Sequence, residues 1–318
     1  MKSIVISGIG RCGKSFIACG LALNLKNCGY FKPLGERRLC GGKMIDEDIS
    51  LMKKICYLSF EDEEICPGFL FPEKPVDIEK IKEAYNKVSQ DKDCIVVEGD
   101  LIRGERKHLG AFHIAKALNT KILLVVEEKN GWEDEMAFLK EVGRDLILGV
   151  VLNKVRNLDE VKKEGFLGII PYKEEFFALS VSQIKEVLNA NILAGDDGIS
   201  KMVEHILVGA MTPQYALGYF ERTDKKAVIT GGDRTDLILP ALTEDTSCII
   251  TTGDIIPSPE VIRKAEVRKI PILSVSWDTL TTASKIEGII PRISPDNKAK
   301  LSLIKELTKP IVDTIFNG

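Results

Sequence analysis

Ser3-Ile4-Val5-Ile6-Ser7-Gly8-Ile9-Gly10-Arg11-Cys12-Gly13-Lys14-Ser15 is the stretch that decides the fold. Its first five residues are a short β-type run, Gly8 to Ser15 satisfy GxxxxGK[ST], and an amphipathic helical stretch follows Lys14. A glycine loop between a strand and a helix turns backbone N–H groups and the helix N-terminus toward phosphate. Lys14 then reaches the β and γ oxygens, and the Ser15 hydroxyl can ligate magnesium. The expectation is a P-loop that binds a nucleoside triphosphate, ATP with Mg2+. Gly8, Gly10, Arg11, Cys12, Gly13, Lys14, Ser15 and Phe16 surround the phosphates in this reading.

Working outward, β-branched runs alternate with helical stretches. The runs are SIVIS, YFKP, CIVVE, KILLVV, LILGVVLN and FLGIIP, with helices after Lys14 and near 47–57, 107–118 and 132–143. Strands that are apolar throughout, alternating with helices, indicate a parallel sheet covered on both faces. The fold class is therefore α/β, a doubly wound P-loop NTPase-type sheet. A polar segment around Gly195-Asp196-Asp197-Gly198 interrupts the pattern, and a second series follows with AVIT, SCIIT and ILSVS. Two domains are expected, 1–180 for nucleotide and a smaller α/β domain over 181–318.

Composition narrows the function class. With 44 basic and 47 acidic residues the formal charge is −3, too little positive field for nucleic acid, so small-molecule partners are favoured. Hydrophobic residues at 44% support real cores in both halves. The eight cysteines form no CxxC pair, which fits free thiols in a reducing cytoplasm rather than a zinc site. No segment resembles a signal peptide or reaches membrane-spanning length, so neither export nor membrane insertion is expected.

Several side chains are candidates for the site. Glu98 ends the run Cys94-Ile95-Val96-Val97, where a charge is costly unless it faces a ligand or cation; Asp100 could substitute for it. Asp46, Glu47 and Asp48 precede a helix and read first as capping and dipole residues. Asn153 follows an apolar strand at the ligand-bearing end of the sheet, where its amide can pair with adenine or close an Asx-turn. His108, His113 and His205 have no acid at metal spacing and read as structural, and Glu61-Asp62-Glu63-Glu64 as a solvated loop.

In this order, GIGRCGKS, FKPLG, DEDISLM, VVEGD, LNKV and LGIIP resemble dethiobiotin synthetase, and still more closely the synthetase-like amino-terminal region of long phosphotransacetylases. The resemblance implies phosphate and metal roles for Lys14 and Ser15, further metal-binding roles for Asp48 and Glu98, a substrate-facing catalytic lysine at Lys32, and an adenine contact at Asn153. It also implies a homodimer. The preference for adenine over guanine rests mainly on it too, since Asn153-Lys154-Val155-Arg156 lacks the aspartate of NKxD. The family's VEGAGG-type loop is replaced here by Glu98-Gly99-Asp100-Leu101-Ile102-Arg103-Gly104, so the organic-substrate pocket differs and biotin synthesis is not implied.

The second half resembles the DRTGG domain, from Gly209-Ala210-Met211 through Gly231-Gly232-Asp233-Arg234-Thr235-Asp236 and Thr252-Gly253-Asp254 to Asp278-Thr279. The acyltransferase domain that follows it in phosphotransacetylases is absent from this sequence, so acetyl transfer is not expected. Read physically, Gly232 permits a tight turn, Asp233 can cap a helix, and Arg234 is a fork-shaped donor. With Asp254, Asp278 and Thr279 they line either a small-metabolite site or a salt-bridged, helix-capping network. The main functional expectation is a cytoplasmic ATP-binding regulator. The alternatives are an ATP-dependent enzyme acting on a small carboxylate or amine, and an assembly module in which nucleotide only stabilises the fold.

Overall fold

The computed structural model describes all residues except 1, 37, 41, 42, 72, 73, 102, 103, 105–108, 130, 144, 162, 163, 210, 211, 288, 290–292, 317 and 318. Ile102, Arg103, His108, Ala210 and Met211, named above, lie outside the described residues.

The chain opens with β1 (Lys2–Ser7), α1 (Lys14–Asn24), β2 (Cys28–Phe31), the short strands β3 (Leu34–Glu36), β4 (Arg38–Cys40) and β5 (Lys43–Ile45), and α2 (Glu47–Ile55). It continues with α3 (Asp62–Ile65), β6 (Gly68–Phe71), α4 (Ile78–Ser89), β7 (Cys94–Glu98), α5 (Ala111–Ala117), β8 (Lys121–Glu127), α6 (Trp132–Val142), β9 (Ile147–Val155) and β10 (Gly168–Pro171). Among the described residues, six strands form a sheet in the order β10-β9-β8-β1-β7-β2, and each neighbouring pair is parallel.

From β1 the chain moves one way to β2; from β7 through β8 and β9 to β10 it moves the other way. Right-handed crossovers then put α1 on one face and α5 and α6 on the opposite one. The core on the second face joins Val5, Val97, Leu124 and Leu152 of the strands to Ile81 of α4, Ile114 of α5 and Leu139 of α6. Parallel strands buried on both faces account for the unbroken apolar runs in the sequence.

The second series holds β11 (Leu179–Ser180), α7 (Val181–Leu188), β12 (Asn191–Ala194), β13 (Met202–Val203), β14 (His205–Val208), α8 (Pro213–Phe220) and β15 (Lys226–Gly231). It goes on through α9 (Thr235–Ala241), β16 (Thr246–Thr252), α10 (Pro259–Val267), β17 (Ile272–Ser274) and α11 (Thr279–Glu287), and α12 (Lys298–Phe316) closes the chain. Among the described residues its larger sheet runs β12-β17-β16-β15-β14, parallel except for β12. One core joins Ala227, Ile229 and Ile250 to α7, and another joins Val228, Ile249 and Ile272 to α9 and α10.

Two compact units result, residues 1–172 with 293–318 and residues 173–292. The boundary expected at 180 falls at 172/173, and α12, expected in the second domain, belongs to the first unit. The physical reason is its packing on α1. A Cβ on Gly20 would meet Thr308 Oγ1 at 2.3 Å, and Asn24 Nδ2 donates to Lys305 O over 2.9 Å and Thr308 Oγ1 over 3.2 Å. The small Gly20 surface is what allows the two helices to approach so closely.

Two smaller expectations are also settled. Glu61-Asp62-Glu63-Glu64 is not a loop: Glu61 and Glu64 form a capping box on α3, and Asp62 and Glu64 pair with Lys53 and Lys87. Among the described residues, Cys12, Cys19, Cys28, Cys56, Cys66, Cys94 and Cys248 are buried and form no disulfide. Among the described residues no helix is long and apolar enough to cross a membrane.

Candidate nucleotide site

The loop after β1 is built for close backbone approach. A Cβ on Gly8 would meet Val125 O at 2.1 Å, and Gly13, at φ 98°, adopts a left-handed conformation that glycine favours. Gly13 has no side chain to cap α1, an arrangement that an anion at the helix N-terminus completes. Gly10 also has positive φ, at 64°. Lys14 Nζ folds back over the loop, donating to Gly10 O at 2.9 Å and Gly8 O at 3.3 Å. Arg11 is exposed, Cys12 buried, and Phe16 half-buried in the first turn of α1.

Ser15 Oγ donates to Glu98 Oε1 over 2.9 Å, which joins the P-loop to the end of β7. Glu98 is 5% exposed, and its other oxygen accepts from the fully buried Tyr30 hydroxyl at 2.9 Å. Burial pushes the Glu98 carboxyl above its usual range, and the negative charge of Asp48 adds to the effect. Tyr30 was not singled out in the sequence, where Cys28-Gly29-Tyr30-Phe31 reads as an apolar strand; only its hydroxyl, next to a strand-end acid, could have flagged it.

Beside this pair lies a second cluster. Lys32 follows β2, and its Nζ lies 2.6 Å from Asp48 Oδ2 and 3.1 Å from Asp46. Asp46 is the N-cap of α2, accepting from Asp48 N at 3.1 Å and Ile49 N at 3.2 Å, and it also accepts from Glu36 N at 2.9 Å. The capping expectation therefore holds for Asp46, which also anchors Lys32. Burial pushes the Asp48 carboxyl up, but the Lys32 ammonium, Ser15 and Lys14 outweigh it, and the group stays below its usual range. Burial likewise disfavours charge on Lys32, and Asp48, Glu98 and Asp46 together hold its pKa well above normal.

Asn153, 4% exposed in β9, braces the loop: Nδ2 donates to Cys12 O at 2.8 Å, and Oδ1 accepts from Lys154 N at 2.9 Å. Lys154 adds a contact to Arg11 O at 2.9 Å and pairs with Glu127 at 2.8 Å. The P-loop, Lys32, Asp48, Glu98 and Asn153 are thus gathered at the carboxyl ends of β1, β2, β7 and β9, where open α/β sheets bind ligands. Among the described residues no three His, Cys, Asp or Glu side chains are arranged to hold a metal alone.

In the second unit, Gly232, Asp233, Arg234, Asp254, Asp278 and Thr279 lie at or just beyond the carboxyl ends of β15, β16 and β17. A Cβ on Gly232 would meet Ile255 O at 1.8 Å, so only glycine fits there. Arg234 forks onto Asp236 with both contacts at 3.0 Å, and Asp278 caps α11 through Thr281 N at 2.9 Å and Thr281 Oγ1 at 2.7 Å. Thr279 Oγ1 lies 3.1 Å from Thr252 Oγ1, and Asp254 takes positive φ, 54°, in its turn. Arg234 and Asp278 are both engaged by neighbouring residues of the unit.

The family model described as AAA domain matches residues 2–195, and the DRTGG domain model matches residues 183–289. Phosphate acetyltransferase of Pseudomonas aeruginosa is 25% identical over 276 residues, covering 74% of this chain and 39% of that protein. Phosphate acetyltransferase of Synechocystis sp. is 28% identical over 260 residues, covering 70% of this chain and 36% of its own length. ATP-dependent dethiobiotin synthetase BioD of Bacillus licheniformis is 27% identical over 187 residues, covering 50% of this chain and 77% of that enzyme. The chain thus spans about two fifths of the acetyltransferases it matches. By its matched residues and its P-loop sheet, the chain belongs to the AAA domain family in its dethiobiotin synthetase-like form, joined to a DRTGG domain as in the amino-terminal region of phosphate acetyltransferases.

Proposed function

We propose that this chain binds ATP with Mg2+ in its P-loop unit and works as a cytoplasmic regulator whose DRTGG unit senses a small metabolite. The observation that carries the regulatory reading is the state of Lys32. The side chain that would hold an acid substrate is 11% exposed and already bound by two aspartates. It presents no free cation to a carboxylate.

The donor set fits magnesium, which uses one or two carboxylates with phosphate oxygens and water. Ser15 Oγ, Asp48 and Glu98 would hold it, and it would supply positive charge against the phosphates of the nucleotide. Lys14, released from Gly8 and Gly10, would turn to the β and γ oxygens. Asn153 supports ATP binding by fixing the loop at Cys12, which extends its role beyond the adenine contact implied by resemblance. A homodimer is part of the proposal on the same resemblance. In the second unit, a metabolite on the rim would compete with the Arg234–Asp236 pair.

Phosphate release measured across a panel of small carboxylates and amines tests this reading. Tight ATP binding with slow release that no compound accelerates supports it. Rapid release with one compound, lost in Lys32→Ala, favours an ATP-dependent enzyme instead.

A further inference from the structure

Lys32 sits where a metal would be expected to make its contact. Its ammonium is 2.6 Å from Asp48, while Ser15 Oγ already meets Glu98 at 2.9 Å. Of the two aspartates that hold it, Asp46 has a side chain only 2% exposed and fixed by three backbone N–H groups, whereas the Asp48 side chain is 31% exposed. An incoming cation can therefore reach Asp48 and not Asp46. The backbone at Lys32 is pinned, with its N–H on Ile65 O at 3.0 Å and Pro33 next in the chain, so movement is confined to the side chain.

We infer that the Lys32 ammonium is a built-in stand-in for the magnesium ion, neutralising Asp48 in the empty site and handing it over when the metal binds. The inference rests on the metal-binding part of the proposed Mg·ATP site. Two buried or half-buried carboxylates and a buried glutamate cannot be left without a counter-charge at low cost. A lysine suits this task because it is a compact charge on a flexible stem, whereas the planar fork of arginine is not. Asp46 is the tether that keeps Lys32 close during the exchange. Lys32 then keeps only its Asp46 contact, so its reactivity reports whether the metal is present.

The test uses the full chain and Mg2+ alone, without nucleotide. Thermal shift is measured against MgCl2 for wild type, Lys32→Met and Lys32→Arg, and lysine acetylation of the wild type is mapped by mass spectrometry over the same range. Lys32→Met is expected to bind Mg2+ at least about tenfold more tightly than wild type, the scale of one charge-assisted contact removed from competition. Lys32→Arg, which keeps the competing charge, is expected to gain no such affinity. Acetylation of Lys32 in the wild type is expected to rise severalfold with Mg2+ while that of Lys82 stays constant. If Lys32→Met does not fold, the wild-type labelling decides by itself. Unchanged or weaker Mg2+ affinity in Lys32→Met overturns the inference, as does flat Lys32 labelling, or no metal-induced shift in any of the proteins. Failure of ATP to bind, with the Mg2+ results as expected, would overturn the nucleotide reading and leave this one standing.

Discussion

The Tyr30 hydroxyl donates to Glu98 Oε2 over 2.9 Å, linking two residues 68 positions apart on neighbouring strands of the first sheet. Both are buried, so the phenol supplies a contact that water cannot replace. Hydrogen bonds to charged groups contribute about 1.5–3 kcal/mol. Tyr30→Phe is expected to lower stability by about that much, read by urea unfolding, and to weaken Mg2+-dependent nucleotide binding more than Mg2+-free binding. An unchanged unfolding midpoint would show that the Glu98 carboxylate does not depend on the phenol.

Asn153 yields a prediction that separates bracing from base reading. Its amide is bonded on both ends to the P-loop and to Lys154, so Asn153→Ala should loosen the loop whichever base the nucleotide carries. Loss of a buried contact of this kind costs about 1–3 kcal/mol. ATP and GTP affinities are expected to fall by similar factors. A selective loss of ATP would instead assign Asn153 to the adenine edge.

How much of this was legible in the sequence follows from what each signal encodes. The P-loop was plain because its chemistry is local: glycines, a lysine and a hydroxyl within eight positions, between a strand and a helix. Glu98 was legible as a charge ending a buried run. Asp48 and Lys32 needed the resemblance, since a local reading of Asp46-Glu47-Asp48 stops at capping, and the Lys32 contacts join residues 14 and 16 positions apart. Tyr30 was hidden because an apolar strand reads the same whether or not its hydroxyl meets an acid. The placement of α12 was missed because an amphipathic helix does not state which surface it covers, and the small Gly20 that receives it is nearly 290 positions away from Thr308.

The α1–α12 contact can be tested at that glycine. Alanine is ordinarily about 1 kcal/mol better than glycine within a helix. At Gly20, however, the added methyl would lie 2.3 to 2.7 Å from three Thr308 side-chain atoms. Overpacking costs typically about 1–3 kcal/mol, so Gly20→Ala is expected to lower the Tm, and Gly20→Ala combined with Thr308→Ala to recover part of the loss. A higher Tm in the single variant would mean that α12 does not bear on α1 in solution.

The buried thiols set a pH dependence. Burial pushes the Cys19 and Cys248 thiols up to about 12, from the ordinary thiol value of 9.0. The unfolded chain ionises these thiols above pH 9 and the folded chain does not, so folding stability falls as pH rises from about 9 toward 12. Cys248→Ala should make that fall shallower, read as Tm against pH. Alkylation of Cys19 and Cys248 by iodoacetamide at about pH 8 should require denaturant; rapid native-state labelling would contradict their burial.

The most direct test of the central claim is calorimetric titration of ATP, with and without Mg2+, into wild type and Lys14→Ala. Saturable ATP binding strengthened by Mg2+ and weakened by at least about tenfold in Lys14→Ala, the loss expected for a charge-assisted phosphate contact, is the predicted result. No binding heat in the wild type, or equal affinity in Lys14→Ala, would contradict the account of this loop as a working phosphate site.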